Sequence, residues 1–332
     1  MSLGAALAAY LTRVWGEPVA IEALARIPGG ASRETWRFDA VGGNTRRSLI
    51  LRRDPGGSLI ETERAVEYAA LRTAHGRLPV PEPVALEAGV TELERPFFLM
   101  ARVDGGQVPS PFAPDPYGVH APALGRAFFG YLGDLAALPV EATPLAEVLP
   151  TPAPDECWRV ALDHWAGVIE ADEQHPQPIV RAAIRRLYAA PPPLPERIGI
   201  VHGDYRSGNF LHDGAGGILA ILDWEMAHLG DPLEDLGWAL DPLWEHGVGR
   251  AGGMLAREEA LAIWSAHSGR PVDADGLRWW SLFAAVKAQA IWTSAAREWR
   301  DGGMVDPVLA ISGWYPARAH DVILAEQLER WR

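Results

Sequence analysis

Cysteine is nearly absent from this 332-residue chain. Cys157 stands alone, which excludes an intrachain disulfide and any cysteine-rich zinc site. A reducing, cytoplasmic setting is the simplest one for such a chain. Positive charge is also scarce: 30 Lys and Arg face 43 Asp and Glu, a net charge of −13. That balance repels phosphate backbones and anionic headgroups, so neither nucleic acid nor membrane is expected as a partner. No run approaches the roughly 18 consecutive apolar residues of a membrane-spanning helix. The apolar start lacks the basic segment of a signal peptide. Leu3, Leu7, Tyr10, Leu11 and Val14 instead recur at helical spacing and predict an amphipathic first helix. No repeat with a period of roughly 20–50 residues is visible, which argues against a solenoid or propeller.

What remains is a globular composition, 48% hydrophobic and 22% charged, long enough for one large domain or two linked lobes. Residues 21–51 read as β structure, with Gly42-Gly43-Asn44 as a turn between strand-like segments. A helical pattern follows from Leu59 to about Thr73, and Pro79, Pro81 and Pro83 stop it. Phe97-Phe98-Leu99-Met100 is a short apolar strand leading into Asp104-Gly105-Gly106, where we place a hinge. This divides the chain into a β-rich lobe, 1–103, with one helix, and a helical lobe, 104–332. One β island, from about Arg197 to Trp224, interrupts the helical part.

The β island carries the chemistry. Strands Phe210–His212 and Ile218–Leu222 flank the turn Asp213-Gly214-Ala215-Gly216-Gly217. Antiparallel pairing about residue 216 sets Asn209 opposite Asp223, at the open end and beside the loop holding Asp204. Two carboxylates and a carboxamide form a hard-oxygen site. Mg²⁺ suits such ligands, because it binds through one or two carboxylates plus substrate phosphates. The arrangement fits phosphoryl transfer, in which an acid orients the nucleophilic hydroxyl while metal neutralises nucleotide phosphates.

His202-Gly203-Asp204-x-x-x-x-Asn209, followed by Leu222-Asp223-Trp224-Glu225, resembles the aminoglycoside phosphotransferase and choline kinase-like families, relatives of the protein kinases. The resemblance implies an α+β, two-lobed protein-kinase-like fold, with a small antiparallel sheet and a larger helical lobe. It implies Asp204 as catalytic base or orienting acid, Asn209 and Asp223 as Mg²⁺ ligands, and His202 as a scaffold residue of the loop. The glycine turn at Gly29, Gly30 and Ser32 fits the phosphate-covering loop, since glycine lets consecutive N–H groups approach an anion. Arg33 stands where such families often carry Asn.

Leu49-Ile50-Leu51-Arg52 occupies the place of an apolar strand that ends in lysine in kinase-like proteins. Alternation sets Ile50 and Arg52 on one face, with Arg53 as the substitute if the register slips. An arginine there grips phosphate in a bidentate fork. It is similar to the branch of kinase-like domains associated with acyl-CoA dehydrogenases. Glu67 is the favoured partner of Arg52, with Glu63 the alternative one helical turn earlier. Phe97–Val103, including Met100 and Arg102, resembles the hinge strand against which adenine rests.

Asp231-Pro232-Leu233-Glu234 reads as an N-cap, an N1 proline and a capping-box glutamate, and Asp235 as a brace for the catalytic loop. Ten of the fourteen tryptophans follow residue 200, with Trp280 and Trp292 as candidates to line an acceptor pocket. The expected reaction is Mg²⁺-dependent transfer of the γ-phosphoryl of ATP (or GTP) to a small-molecule hydroxyl acceptor. The alternatives are a kinase of hydroxyacyl-CoA or another metabolite, and a nucleotide-binding pseudokinase that transfers nothing.

Overall fold

A computed structural model describes residues 1–27, 34–43, 45–53, 64–89, 92–109, 113–302 and 307–331. The chain opens with α1 (Leu3–Trp15), which Ser2 caps by accepting the Ala5 N–H. Then come β1 (Val19–Arg26), β2 (Glu34–Gly42), β3 (Thr45–Arg53), α2 (Arg64–Ala74), β4 (Pro83–Glu87) and β5 (Phe97–Ala101). The five strands form one antiparallel sheet in the order β1-β2-β3-β5-β4. Period-two alternation gives the sheet two apolar faces. Phe38, Leu49, Leu51, Phe97 and Leu99 pack against Leu7, Tyr10 and Leu11 of α1. Each such aliphatic side chain contributes about 1.5–3 kcal/mol by leaving water. On the other side Phe98 joins Val66, Ala70 and Leu71 of α2. The sheet thus carries two helices rather than the one expected, because the amphipathic N-terminal helix docks on it.

After β5 the chain turns at Gly105, whose φ of +77° is left-handed. Gln107 then bridges to His212, trading backbone bonds of 2.9 and 3.1 Å. A Cβ on Gly106 would lie 2.8 Å from Leu211 Cβ, so only glycine lets the linker pass so close.

The remainder is mostly helical: α3 (Ala121–Ala137), α4 (Pro144–Val148), α5 (Cys157–Asp172), α6 (Pro178–Ala189), then β6 (Gly199–Val201), β7 (Phe210–His212), β8 (Ile218–Ile221) and β9 (His228–Gly230). It closes with α7 (Leu233–Ala239), α8 (Arg257–Ser268), α9 (Ala274–Asp301), α10 (Pro307–Ser312) and α11 (Tyr315–Arg330). The β island extends past Trp224, since β6 pairs with β9 while β7 pairs with β8. Helix α9 is the axis of this part, burying Trp279, Trp280, Phe283 and Val286 against α5, α6 and α11. A separate apolar cluster joins Phe98 and α2 to α3, Trp224 and Leu229, so the sheet and the helical part share a core. Among the described residues no helix is long and apolar enough to cross a membrane.

Candidate active site

Strand β6 is buried along its length and leads directly into His202-Gly203-Asp204. His202 is completely buried; its Nδ1 accepts the Asp204 N–H at 3.1 Å and its Nε2 lies 2.9 Å from Leu222 O. Burial pushes its pKa down to about 4, so the ring is neutral and carries its proton on Nε2. Asp235 accepts the N–H groups of His202 (2.6 Å) and Gly203 (2.9 Å), the bracing role read from its sequence position. Burial pushes the Asp235 carboxyl up to about 6. Gly203 has φ +82°, and a Cβ there would lie 2.2 Å from Met226 O, so no other residue fits.

Asp204 is held by three donors. Trp238 Nε1 (2.9 Å) and Arg206 Nε (3.1 Å) reach Oδ1, and Asn209 Nδ2 (2.6 Å) reaches Oδ2. The Asn209 amide group is therefore spent on Asp204, and its carboxamide oxygen makes neither of these bonds. The register differs from expectation. Phe210 pairs with Ile221, and Leu222 donates to Asn209 O, so Asn209 lies opposite Leu222 and Asp223 is one residue further. The turn is centred on Ala215, where Asp213 donates to Gly217 O and Asp213 Oδ1 accepts from Ala215 and Gly217; a bulge between Leu211 and His212 then moves the pairing one residue back toward the expected one.

Asp223 adopts φ +61° and leads into a short 3₁₀ turn, Trp224–Met226. Its carboxylate meets Arg52 of β3 at 3.2 Å. Arg52 also pairs with Glu67 of α2 at 2.6 Å and with Glu225 at 3.3 Å. Burial opposes the guanidinium charge, but Glu67, Asp223 and Glu225 outweigh it and raise the Arg52 pKa. Arg52 is thus shared by three carboxylates. Arg53 stands outside this group and pairs with Glu34 at 2.6 Å. Met100, Arg102, Ile50, Arg52, Leu222 and Asp223 line a cleft of about 830 Å³ between the sheet and the helical part. Arg102 there pairs with Asp39 (3.2 Å) and Asp104 (2.6 Å). Gly29, Gly30, Ser32, Arg33 and Glu63 lie outside the described residues.

Among the described residues no group of three or more His, Cys, Asp or Glu could hold a metal. The Asp223 carboxylate and the Asn209 carboxamide oxygen are hard donors of the kind Mg²⁺ takes when water and phosphate complete its shell.

On the far side of Asp204, Arg206 stacks over Trp244 at 4.8 Å from the ring centre. Ser207 Oγ lies 2.6 Å from Tyr117 OH and 2.9 Å from His246 Nε2. Trp280 does not line a pocket: it is fully buried and donates to Asp231. Trp292 packs behind Trp238 and Trp244 and donates to His320. Asp231 does cap α7, accepting the Leu233 N–H at 2.9 Å. Glu234 is no capping-box residue. It turns inward to Lys287 (2.9 Å) and His228 (3.0 Å), because burying α7 makes a local cap less favourable than a remote cation.

Sequence reasoning passed over Arg206, Trp238, Glu225 and Lys287. Trp238 follows Asp235 by three, on the same helical face. Lys287 is the chain's single lysine, set in an otherwise apolar stretch of α9, a signal visible in the sequence.

A sheet stacked on a helical part, with acids and an arginine converging at the seam, defines a phosphotransferase with a kinase-like fold. The phosphotransferase enzyme family (APH) matches residues 23–283, and the chain belongs to it. Probable acyl-CoA dehydrogenase IBR3 of Arabidopsis thaliana is 26% identical over 300 residues, 82% of this chain and 36% of that protein. Acyl-CoA dehydrogenase family member 11 of Gallus gallus is 25% identical over 67% of this chain and 28% of that protein. The chain thus spans about a third or less of these relatives' length. A candidate aminoglycoside phosphotransferase from Ralstonia eutropha shares the fold with TM-score 0.75 at 21% identity, 98% of each chain being covered. A thermostable mutant of aminoglycoside phosphotransferase APH(4)-Ia, solved with AMP-PNP and hygromycin B, superposes with TM-score 0.61 at 18% identity, covering 97% of this chain and 98% of that one.

Proposed function

We propose that the chain is a small-molecule kinase that moves the γ-phosphoryl of ATP or GTP to a hydroxyl, with Mg²⁺. The observation that carries this reading is one loop and hairpin that holds Asp204 on Asn209 and ends in Asp223, which meets Arg52 in the cleft. Residues 1–103 and 104–332 act as two lobes, with Gly105 at the hinge. Met100 and Arg102 border the nucleotide base, while Arg52 and the glycine turn at Gly29, Gly30 and Ser32 meet its phosphates. Asp204 orients the acceptor hydroxyl and takes its proton as the acceptor oxygen bonds to the γ-phosphorus. The bond from that phosphorus to the β–γ bridging oxygen breaks, and the nucleoside diphosphate leaves. Bound at Asn209 and Asp223, Mg²⁺ supplies charge neutralisation. Glu67 holds Arg52 in place.

One observation favours an acceptor class. Arg206, stacked on Trp244 beside Asp204, sets a fixed positive charge and an aromatic surface at the acceptor side. A polycationic aminoglycoside meets like charge there, whereas a hydroxylated acyl thioester or another neutral or anionic metabolite does not. The acyl-CoA dehydrogenase names of the relatives point the same way. We place the reaction in the cytoplasm.

Titration calorimetry with Mg-ATP and Mg-GTP, alongside a screen of hydroxylated metabolites for stimulated ADP release, tests the reading. Binding of one nucleotide, with turnover that vanishes in Asp204→Asn, supports it. Absence of nucleotide binding overturns it, and binding without any turnover returns the pseudokinase alternative.

A further inference from the structure

We propose that Lys287 is a positioning residue that fixes the orientation of the candidate base, a role resting on the functional reading above. Lys287 rises from the middle of α9 with only 1% of its side chain exposed. Its ammonium donates to the carbonyl oxygen of Gly203 and, at 2.9 Å, to Glu234 Oε1. The rings of Trp238 and Trp165 flank it at 5.3 and 5.7 Å from their centres.

The Gly203 carbonyl belongs to the peptide that joins Gly203 to Asp204. The N–H at the other end of that peptide donates to His202 Nδ1 at 3.1 Å. The peptide plane is therefore gripped from both sides, and its orientation sets the direction in which the Asp204 side chain leaves the backbone. Glu234 extends the grip: its second oxygen meets His228 Nε2 at 3.0 Å, and His228 Nδ1 lies 3.0 Å from Met226 O. Met226 lies three residues beyond Asp223. One buried ammonium thus ties α9 and α7 to the loop of Asp204 and, through His228, to the segment following Asp223. Trp238, which flanks the ammonium, is itself a donor to Asp204.

Stability alone does not account for this lysine. A buried ion pair is commonly replaced by apolar residues of similar volume without loss, so Lys287 and Glu234 are better explained by the geometry they impose. A lysine adds what an apolar residue lacks, a donor for the Gly203 carbonyl that would otherwise be buried without one.

The experiment compares Lys287→Met, Lys287→Arg and Glu234→Gln with the wild type by amide hydrogen exchange, Mg-ATP binding and ADP release from Mg-ATP. Lys287→Met is expected to keep nucleotide affinity while amides 202–204 exchange faster than those of β6. Its kcat is expected to fall about 100-fold, the scale of a small misplacement of a reacting group. Lys287→Arg, which keeps a cationic donor, is expected to recover part of kcat. If Lys287→Met does not fold, Glu234→Gln, which keeps the ammonium and its volume, carries the same comparison with a smaller effect in the same direction. A folded variant with kcat and exchange at 202–204 both within roughly threefold of wild type overturns the proposal. Wild-type protein that binds no nucleotide sinks the functional reading instead, and hydrogen exchange then decides the role of Lys287 alone.

Discussion

Two acids flank one hairpin, and the molecule holds them in opposite ways. Asp204 is 17% exposed and accepts from three N–H donors, all from the helical part. Asp223 is 46% exposed and meets one arginine from the sheet, which it shares with Glu67 and Glu225. The first carboxylate is oriented before any ligand arrives, as the base role proposed for it requires. The second stays open to solvent, where a ligand can reach it. Preorganisation and openness thus occur within one loop and hairpin.

The sharpest way to break this contrast is to remove each charge. Asp204→Asn and Asp223→Asn are both expected to lower turnover by about 10³-fold. They should differ in calorimetry: Asp204→Asn leaves Mg-ATP affinity intact, whereas Asp223→Asn loses the part of the affinity that depends on Mg²⁺. Equal nucleotide affinities in the two variants would erase the distinction. Arg52→Met leaves three carboxylates without their cation and should cost about 3 kcal/mol, read as a lower urea midpoint. Added Mg²⁺ is expected to restore part of that loss; no response to Mg²⁺ would show that these carboxylates do not form a metal site.

The Asp204 side carries its own pH signature. His202 titrates near 4 in the folded chain against 6.5 as a free side chain. A depressed folded value means its contribution is complete above pH 6.5 and disappears as the pH falls through 4. The unfolded chain takes up a proton there that the buried ring refuses. The slope is at most about 1.4 kcal/mol per pH unit, and urea denaturation of His202→Gln should flatten it. Asp235 works against this trend, because burial raises its carboxyl and makes its protonation easier in the folded chain. The smallest change is Trp238→Phe, which deletes one donor to Asp204 and keeps the ring. About a tenfold drop in kcat with unchanged nucleotide affinity is expected in steady-state kinetics, and an unchanged kcat would remove Trp238 from the set of orienting groups.

Much of this was legible because the informative residues lie close together along the chain. Asp204, Asn209 and Asp223 fall within one loop and hairpin, where spacing implies proximity. Strand alternation put Arg52 on the same face as Ile50; helical phasing offered Glu63 and Glu67 alike, and the family resemblance favoured Glu67. The partner across the hairpin was not legible, since the turn centres one residue earlier than expected and a bulge shifts the pairing again, neither leaving a compositional trace. Glu234 was misread for a related reason: local capping rules describe bonds within one turn, while its actual partner lies 53 residues away. Trp238, Arg206 and Lys287 act through contacts that only the tertiary fold creates. The docking of α1 on the sheet was likewise hidden, because amphipathicity predicts an apolar face without naming what covers it.

Of the 30 Lys and Arg residues all but one are arginine, and the sole ε-amino group is sealed beneath the loop that presents Asp204. Chemistry aimed at lysine therefore has a single address, closed in the native state. Incorporation of an ε-amine-directed tag would count openings of the helical core one molecule at a time.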